Sequence, residues 1–396
     1  MMRILHVTPY YAPAWAYGGV VTAVTGLATA QAARGHQVTV LTTDALDFSA
    51  SNPTRCETLD GVEVIRCHNL SSTVRARYNL SLPWGFRRAF RRLSSRAEIV
   101  HTHELRTVEN LLMIMTSRNT SRCRIVLSPH GTLPYGTGRG GFKRGWDRLF
   151  GRWQLGRIAG IAGLTAAEVD DARALWSAFG VPFPTSAIIP NGVPADFAVS
   201  RDLRMRYQLG DGPVILFLGR LHERKGLQFL IPAFARAANE IPTARLLIAG
   251  PDAGMLTTAQ RLAAQAGIAS QVTFAGMLHG ADQRAALATA DLFVLPAVGE
   301  GLSMAVLEAM AAGIPVILTP GCNLPDVESR GAGLLVNREV EPLAAAIRDL
   351  LRDQVRRRAM GESGRAWVRE SFTWPAIAAQ TEPFYAAVAE SQIVMK

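Results

Sequence analysis

The chain has 396 residues, enough for two domains of typical size, and 48% of them are hydrophobic. Its apolar runs are all shorter than the roughly 18–20 residues that a transmembrane helix needs, and its first residues are not typical of a signal peptide. The four cysteines are scattered without a Cys-x-x-Cys pair, which argues against disulfides or a zinc site and favours a reducing cytoplasm.

The formal net charge of +10 is unevenly distributed along the chain. Residues 1–190 contain 22 Lys and Arg against 12 Asp and Glu, whereas the remainder contains 20 of each kind. A basic surface indicates an acidic partner, such as nucleic acid, a phosphorylated substrate or an anionic membrane. Because the excess belongs to one half of the chain, we expect that half alone to meet this partner.

The first half begins with a predicted parallel strand, Arg3 to Thr8, and a helix that ends near Arg34 with Gly35 as its cap. Gly18-Gly19 stands directly before this helix, where backbone amides at the positive end of the helix dipole can approach a phosphate. A glycine pair also suits a plain turn, so both interpretations stay open. Residues 44–61 are expected to form a loop. Further strands are predicted at 37–41, 62–67, 98–101, 124–128 and 187–190, and helices near 146–159 and 167–179.

A strongly basic segment lies at residues 75–96, with seven arginines and no acidic residue between them. Phe86, Phe90 and Leu93 fall at helical spacing, so the arginines cover the other faces of a helix. This pattern fits a solvated basic helix, and it equally fits an interfacial helix on anionic lipid headgroups. In the second interpretation the lipid contacts are made by Arg87, Arg88, Arg91 and Arg92.

Histidines mark the ends of two predicted strands. The segment His101-Thr-His103-Glu104 contains metal-ligand residue types, but no other residues at ligand spacing accompany it, which favours an ordinary cluster at a strand end. His130 follows the strand at 124–128, and a His at the carboxyl end of a parallel strand points into the crevice where open α/β sheets bind ligands. Residues 136–145 are glycine-rich and basic. We interpret them as a mobile loop and not as a dinucleotide-binding fingerprint.

After a linker at 194–212, the second half alternates between strands and helices at the spacing of parallel βαβ units. The strands are predicted at 214–218, 245–249, 272–275, 292–295 and 315–318. The helices are predicted near 226–239, 255–266, 282–290, 303–312, 340–353 and 355–370, with a last helix from 374 to about 390.

Charged residues follow two of these strands. Arg220 and Lys225 lie between the strand at 214–218 and the next helix, which is where anions bind. Glu300 lies in the loop after the strand at 292–295, and Glu308 lies about two turns along the following helix. A carboxylate accepts two hydrogen bonds and therefore suits a vicinal diol such as a ribose or hexose ring. The alternative is a first-turn charge favoured by the helix dipole, with Glu308 on a solvated face.

The sequence around these residues resembles a known family. Glu300-x7-Glu308, flanked by Glu-Gly-Leu, Leu-Glu-Ala-Met-Ala-x-Gly and Pro-Val-Ile-x-Thr, is similar to the signature of retaining GT-B glycosyltransferases of the glycosyltransferase family 4 type. Gly-Arg-Leu-x3-Lys-Gly at 219–226, the Gly-Gly loop and Ser-Pro-His-Gly around His130 resemble further motifs of that family. Leu302 stands where the family more often has Phe. The resemblance covers nearly the whole chain.

The resemblance implies an α/β protein with the GT-B fold, in which two Rossmann-like domains face an interdomain cleft. We expect an acceptor-side domain at 1–193, onto which a helix within 374–396 packs back, and a nucleotide-sugar-binding domain at 194–373. The implied reaction moves a hexose from a UDP- or GDP-linked sugar to a hydroxyl of a polysaccharide or lipid-linked saccharide, with retained configuration. On this basis the loop at 136–145 belongs to the acceptor side.

The same resemblance implies roles for individual residues. Glu300 would hold the donor sugar, Glu308 the ribose, Arg220 and Lys225 the diphosphate, and His130 would lie near the reacting carbon. Catalytic roles therefore fall to His130, Glu300, Arg220 and Lys225. The other expected donor contacts are Gly18, Gly19, Met277, Leu278, Gly301, Leu302 and Ser303. No metal or cofactor is expected, because no Asp-x-Asp motif stands where a diphosphate would need one.

Two alternatives stay open. A basic nucleic-acid- or membrane-binding protein on a Rossmann-like scaffold would account for the charge, but it leaves Glu300-x7-Glu308 unexplained. A phosphorylase with a pyridoxal phosphate lysine would share the fold, but the second half has few lysines besides Lys225. The preferred hypothesis is a cytoplasmic glycosyltransferase, peripheral on the inner face of the cell membrane, that does not bind nucleic acid.

Overall fold

The computed structural model describes residues 1–47, 49–78, 80–117, 123–136, 139–194 and 203–391. The chain divides into two compact units, one formed by residues 1–192 with 374–396 and the other by residues 193–373. Each unit is built on its own sheet with helices packed against it. None of the helices in the described ranges combines the length and apolarity that crossing a membrane requires.

Strands occur along both units. In chain order they are β1 (Arg3–Val7), β2 (Gln37–Thr43), β3 (Cys56–Leu59), β4 (Val62–Asn69), β5 (Pro83–Trp84), β6 (Ile99–His103), β7 (Arg124–Ser128), β8 (Gly160–Gly163) and β9 (Thr185–Ile188) in the first unit, and β10 (Val214–Leu218), β11 (Arg245–Ala249), β12 (Val272–Gly276), β13 (Leu292–Leu295), β14 (Val316–Leu318) and β15 (Gly333–Leu335) in the second.

Helices connect most of these strands. In chain order they are α1 (Gly19–Ala33), α2 (Ser72–Tyr78), α3 (Phe86–Ser94), α4 (Val108–Thr116), α5 (Gly140–Trp146), α6 (Arg152–Leu155), α7 (Ala166–Ala178), α8 (Leu203–Arg206), α9 (Leu227–Glu240), α10 (Leu256–Gln265), α11 (Gly280–Thr289), α12 (Met304–Ala311), α13 (Val340–Arg352), α14 (Gln354–Ser371) and α15 (Trp374–Glu390). A π-helical turn, Asp147–Gly151, joins α5 to α6.

Both sheets reverse their strand order at one point. The first sheet runs β3-β4-β2-β1-β6-β7-β8-β9, and its pairs are parallel apart from β3 and β5, which pair antiparallel with β4. The second runs β12-β11-β10-β13-β14-β15 and is parallel throughout. The order reverses between β1 and β6 and between β10 and β13, and ligands of doubly wound sheets bind in the crevice at such points.

The core of the first unit has two layers because side chains alternate across each strand. Leu5 and Val7 of β1 join the buried cluster that includes residues of α3, α4 and α7. Ile4, on the opposite face of the same strand, joins the cluster formed with α1 and α15. The returning helix α15 therefore packs on the sheet of the first unit, on the same face as α1.

Several elements differ from the sequence predictions. Residues 44–61, expected to be loop, contain the edge strand β3, which a turn at Asp60-Gly61 returns to β4. The segment 136–145, expected to be a mobile loop, contains most of α5, while residues 137 and 138 lie outside the described ranges. The linker expected at 194–212 contains the short helix α8, and its residues 195–202 also lie outside those ranges.

Further elements were not predicted at all, among them α2, β5, β8, β15 and α4. β8 and β15 are short strands added beside β7 and β14 respectively. Helix α4 is capped by Thr107, whose side-chain oxygen accepts a hydrogen bond from the backbone N–H of Asn110 at 3.2 Å. This is a regular helix N-cap. Since Glu109 and Asn110 are buried in this helix, its polar and apolar residues do not separate into the pattern of a surface helix.

Candidate functional site

In the second unit the candidate site is built at the carboxyl ends of β10 and β13. The two strands are parallel neighbours, with Ile215 opposite Leu292 and Leu216 opposite Phe293. Both strands are buried along their whole length, as their continuous apolar sequences predict. The segments that follow them therefore emerge side by side at the point where the strand order reverses.

Lys225 and Glu300 meet at this point. Lys225 Nζ donates to Glu300 Oε2 at 2.7 Å, and the two side chains are only 15% and 16% exposed. The Glu300 backbone is held as well, because its N–H donates to the Gly321 carbonyl at 3.0 Å and its own carbonyl accepts from the Asn323 side chain. The structure thus brings together, as an ion pair, the two residues that sequence reasoning assigned to the diphosphate and the sugar.

Two arginines brace this region. Arg224 Nε donates to the Val298 carbonyl at 3.3 Å, and Arg338 Nε donates to the Pro296 carbonyl at 2.8 Å. Both therefore fasten the loop after β13 to neighbouring segments, a role that sequence reasoning missed. The side chain of Arg220, by contrast, is exposed and has no hydrogen-bond or ion-pair partner in the part of the chain that the structure describes.

Glu308 lies on α12 and is partly buried, not on a solvated face. Gln283 of α11 donates its side-chain N–H to Glu308 Oε2 at 2.7 Å. Burial raises the pKa of the Glu308 carboxyl to about 7, an effect that the Gln283 hydrogen bond partly offsets. In its ionised form this carboxyl can accept hydrogen bonds from a ligand diol.

The other expected donor contacts of the second unit are divided between surface and interior. Met277 is 50% exposed and lines a pocket of about 260 Å³ at the carboxyl ends of β11 and β12, together with Phe274, Gly276 and Asp252. Leu278, Leu302 and Ser303 are buried, whereas Gly301 is partly exposed. Ser303 is the N-cap residue of α12, so its neighbours present backbone groups at that helix start.

In the first unit Gly18 and Gly19 stand at the start of α1, as predicted, and Gly18 has a φ of 86°. This left-handed conformation favours glycine. His130 follows β7 with a φ of 54°. His130 Nε2 lies 3.0 Å from His103 Nδ1, and His103 Nε2 lies 3.0 Å from His6 Nδ1. Burial lowers the pKa of His6 and of His130 to about 4, so these imidazoles are neutral at pH 7.

The histidine cluster also bears on metal binding. Nitrogen atoms of His6, His101 and His103 lie within 4.8 Å of one another, and imidazoles are common metal ligands. Sequence reasoning found the last two and missed His6, which reaches them because β1 and β6 are adjacent. However, hydrogen bonds engage both ring nitrogens of His101, to the Tyr385 hydroxyl at 2.6 Å and to Ser128 Oγ at 2.8 Å.

Only part of the basic segment at residues 75–96 is exposed on the protein surface. Arg87, Arg88, Arg91 and Arg92 of α3 are all exposed, and no carboxylate among the described residues lies within 4.0 Å of them. Phe86 and Phe90 are fully buried on the opposite face, and Trp84, just before the helix, is 69% exposed. Arg75 differs from the expected pattern. It is fully buried and donates to the Ala50 carbonyl at 3.1 Å, so it belongs to the interior.

The two units of the chain match two different family models. Residues 18–192 match a family model described as glycosyl transferase 4-like domain, and residues 201–367 match one described as glycosyl transferases group 1. A GDP-mannose-dependent alpha-(1-6)-phosphatidylinositol monomannoside mannosyltransferase of Mycobacterium tuberculosis is 34% identical over 289 residues, which are 69% of this chain and 72% of that protein. A related mannosyltransferase of Corynebacterium glutamicum, whose name specifies the monoacylated acceptor, is 32% identical over 70% of this chain and 75% of its own length.

Solved structures share the fold. The sucrose-phosphate synthase of Thermosynechococcus elongatus superposes with a TM-score of 0.76 at 23% identity, covering 98% of this chain and 99% of that one. HepE of Anabaena superposes with a TM-score of 0.74 at 16% identity, covering 98% and 100%. These are glycosyltransferases of the GT-B class, and the fold predicted from sequence is confirmed.

The fold and the strand-end site together define a GT-B glycosyltransferase. The chain belongs to the glycosyltransferase family 4 type, the glycosyl transferases group 1, as the motifs around Glu300 and Glu308 predicted. It is therefore a glycosyltransferase of class EC 2.4.

Proposed function

We propose that this enzyme transfers mannose from GDP-mannose to a lipid-linked saccharide, with retention of the anomeric configuration. The observation that carries the proposal is the partly buried Lys225–Glu300 pair at 2.7 Å, with Glu308 on the helix that follows. The choice of donor and acceptor is supported by the relatives, whose names specify GDP-mannose and phosphatidylinositol mannosides. The second unit would hold the nucleotide sugar, and the first unit the acceptor.

In this proposal donor binding rearranges the Lys225–Glu300 pair. The diphosphate takes the Lys225 ammonium as its counterion, with help from the exposed Arg220 guanidinium. Glu300 is then released to accept hydrogen bonds from hydroxyls of the sugar. The two side chains are only 15% and 16% exposed, so the charges that would meet the donor are held in place and partly shielded from water. Glu308 accepts the ribose hydroxyls, and the pocket beside Met277 takes the base.

The chemical step breaks the bond between the anomeric carbon and the diphosphate oxygen. Positive charge develops on the sugar and negative charge on the leaving group, where Lys225 and Arg220 stabilise it by preorganised electrostatics. The acceptor hydroxyl approaches the same face of the sugar and forms the new carbon–oxygen bond. Its proton passes to the leaving phosphate oxygen, so no protein base is assigned and configuration is retained.

Metal independence is a separate part of the proposal. Lys225 and Arg220 supply the positive charge that a divalent cation would otherwise bring to a diphosphate. We therefore expect full turnover after dialysis against EDTA. A complete loss of turnover that manganese or magnesium restores would contradict this part and leave the donor assignment standing.

The proposed location is the cytoplasmic face of a membrane, with the protein bound peripherally. The four arginines of α3 are exposed, and Trp84, two residues before this helix, is exposed as well. Such a surface suits anionic headgroups, and a lipid-linked acceptor would be presented there. Nucleic acid is not proposed as a partner.

The decisive experiment compares donors on the purified enzyme. GDP and GDP-mannose should raise the melting temperature, since a ligand at about 100 times its dissociation constant stabilises by roughly 2.7 kcal/mol. UDP-glucose should do so less at equal concentration. Turnover with a phosphatidylinositol mannoside should give an α-linked product by NMR. Stabilisation by no nucleoside diphosphate, together with salt-sensitive binding to random DNA, would favour the nucleic-acid-binding alternative instead.

A further inference from the structure

A line of hydrogen-bonded side chains runs through the first unit and ends at His130. Gln31 Nε2 lies 3.1 Å from Thr381 Oγ1, and Gln31 Oε1 lies 2.8 Å from His6 Nε2. The line continues from His6 Nδ1 to His103 Nε2 and from His103 Nδ1 to His130 Nε2, each at 3.0 Å. Thr381, Gln31, His6 and His103 are each at most 1% exposed, so water does not interrupt the contacts.

The direction of the first hydrogen bonds is fixed by a backbone group that can only accept. Thr381 Oγ1 donates its proton to the Ala378 carbonyl at 2.7 Å. It can then only accept from Gln31, which places the Gln31 amide nitrogen toward α15. The amide oxygen must therefore face His6, and an amide oxygen only accepts. His6 consequently carries its proton on Nε2.

The tautomer of each following imidazole is determined by the hydrogen bond to the ring before it. A neutral imidazole has one N–H donor and one bare nitrogen. His6 Nδ1 is bare and accepts from His103 Nε2, which leaves His103 Nδ1 bare to accept from His130 Nε2. Burial lowers the pKa of all three rings, which keeps them neutral at pH 7. His130 Nδ1 is thus left with a lone pair and without a partner among the described residues.

We infer that Thr381, Gln31, His6 and His103 form a positioning chain that holds His130 in the Nε2–H tautomer, so that its Nδ1 accepts a hydrogen bond from a sugar hydroxyl. The identity of the hydroxyl donor rests on the proposed function, whereas the tautomer does not. The opposite tautomer would point an N–H outward and suit a phosphate oxygen instead. The chain therefore assigns His130 Nδ1 to a hydroxyl group and not to a phosphate oxygen.

A metal ion bound by His6, His101 and His103 is the competing account of the same cluster. It would require the His6–His103 hydrogen bond to break and His101 to give up either Tyr385 or Ser128. His101 supplies the control, because its ring stacks on His103 without a hydrogen bond to it. Its one link to the chain runs through the Tyr385 hydroxyl, which also accepts from Gln31 Nε2 at 3.1 Å.

The test reads the tautomer directly by ¹⁵N NMR of histidine-labelled, ligand-free enzyme. The His130 signals should be those of a ring with a bare Nδ1 and a protonated Nε2. His103→Asn and Gln31→Leu should convert them to a mixture of tautomers, and His101→Asn should leave them unchanged. A wild-type His130 with its proton on Nδ1 would overturn the inference, and so would equal effects of His103→Asn and His101→Asn. The inference would also be overturned if the purified enzyme held one equivalent of zinc and removing that zinc shifted the signals of His6, His101 and His103.

Steady-state kinetics then test the consequence for the reaction. His103→Asn should lower kcat/KM by roughly tenfold, the worth of one neutral hydrogen bond, while the dissociation constant of GDP stays within twofold of wild type. His101→Asn, with a comparable loss of melting temperature, should retain the wild-type kcat/KM. Equal kinetic losses in the two variants would mean that the cluster is merely structural. If no nucleotide sugar is turned over at all, the proposed function fails, while the NMR result still decides the tautomer.

Discussion

Glu308 is a carboxyl whose protonation is coupled to the stability of the fold. Burial raises its pKa from 4.5 in the unfolded chain to about 7 in the folded protein. Between these values the folded state binds more protons than the unfolded state, so the contribution of Glu308 to stability is lost as the pH rises through about 7. The ionised form of Glu308 is the one that would accept two hydroxyls of a ribose. The form that binds the proposed ligand is therefore also the one that stabilises the fold less.

We expect Glu308→Gln to raise the melting temperature at pH 8 and to change it little at pH 4.5. The amide keeps the size of the carboxyl and removes the charge that burial penalises at high pH, whereas at low pH the native carboxyl is already neutral. Thermal unfolding monitored by circular dichroism at both pH values measures the difference. Equal shifts in melting temperature at pH 4.5 and pH 8 would show that packing, not ionisation of Glu308, is responsible.

Glu300 and Glu308 should differ in what their removal does to nucleotide binding. Glu308→Ala should weaken GDP and GDP-mannose alike, by roughly tenfold to a hundredfold, as expected for hydrogen bonds to a charged group. Glu300→Ala should leave GDP binding intact, because it frees Lys225 from its 2.7 Å partner, and should lower turnover. Titration calorimetry with both ligands separates these cases. Equal losses of GDP affinity in the two variants would refute the division of roles.

At the scale of the elements, the sequence determines some parts of the fold much more strongly than others. β10 and β13 are continuous apolar runs buried on both faces, and α3 places Phe86 and Phe90 one turn apart. These sequence patterns predict the two strands and the helix directly. β3, β8 and β15 are three or four residues long, and unlike β13 they have glycine or polar residues within that length. A strand that short has too few residues for a periodic pattern, so only its partner specifies it.

The same distinction holds in the candidate site. Lys225 and Glu300 could be predicted because each lies in the segment after a strand, and Glu308 because it lies on the helix that follows, all within specific motifs. Their partners could not, since Gln283 comes from α11 and His6 from the interior of β1, and neither stands in a recognisable pattern. A single sequence shows which residues end a strand, but the meeting of distant side chains depends on tertiary packing.

The packing of α15 on α1 can be tested at one glycine. A Cβ on Gly26 of α1 would overlap the Trp374 indole at the start of α15. Gly26→Ala should therefore lower the unfolding free energy by about 1–3 kcal/mol, the usual cost of overpacking. Gly145→Ala is the matched control, because a Cβ there meets nothing within 4 Å on the exposed side of α5, and alanine favours the helix.

A double-mutant cycle identifies the cause. Trp374→Ala removes the ring, so adding Gly26→Ala in that background should cost much less than it does in the wild type. Urea unfolding of the four proteins gives the coupling free energy. A cost of Gly26→Ala that is unchanged by the loss of Trp374 would mean that α15 does not press on this turn of α1.

At the scale of the whole molecule, the dominant feature is the separation of charge between the two halves. Residues 1–190 carry the entire excess of +10, and the rest of the chain is balanced. Four of these charges are exposed on one short helix, where each Lys or Arg near an anionic surface contributes on the order of 1 kcal/mol. Such a distribution would orient the protein on a membrane as well as attract it.

We therefore expect the enzyme to pellet with vesicles that contain phosphatidylglycerol or cardiolipin, and not with neutral ones. Binding should fall as salt is raised, because the attraction is screened within about a Debye length. Replacing Arg87, Arg88, Arg91 and Arg92 with Ser should abolish it and leave GDP binding unchanged. The control removes the same charge from exposed arginines of the second unit, namely Arg284, Arg356, Arg358 and Arg369. If that control loses vesicle binding as fully as the α3 variant does, net charge alone is responsible, and α3 is a solvated surface.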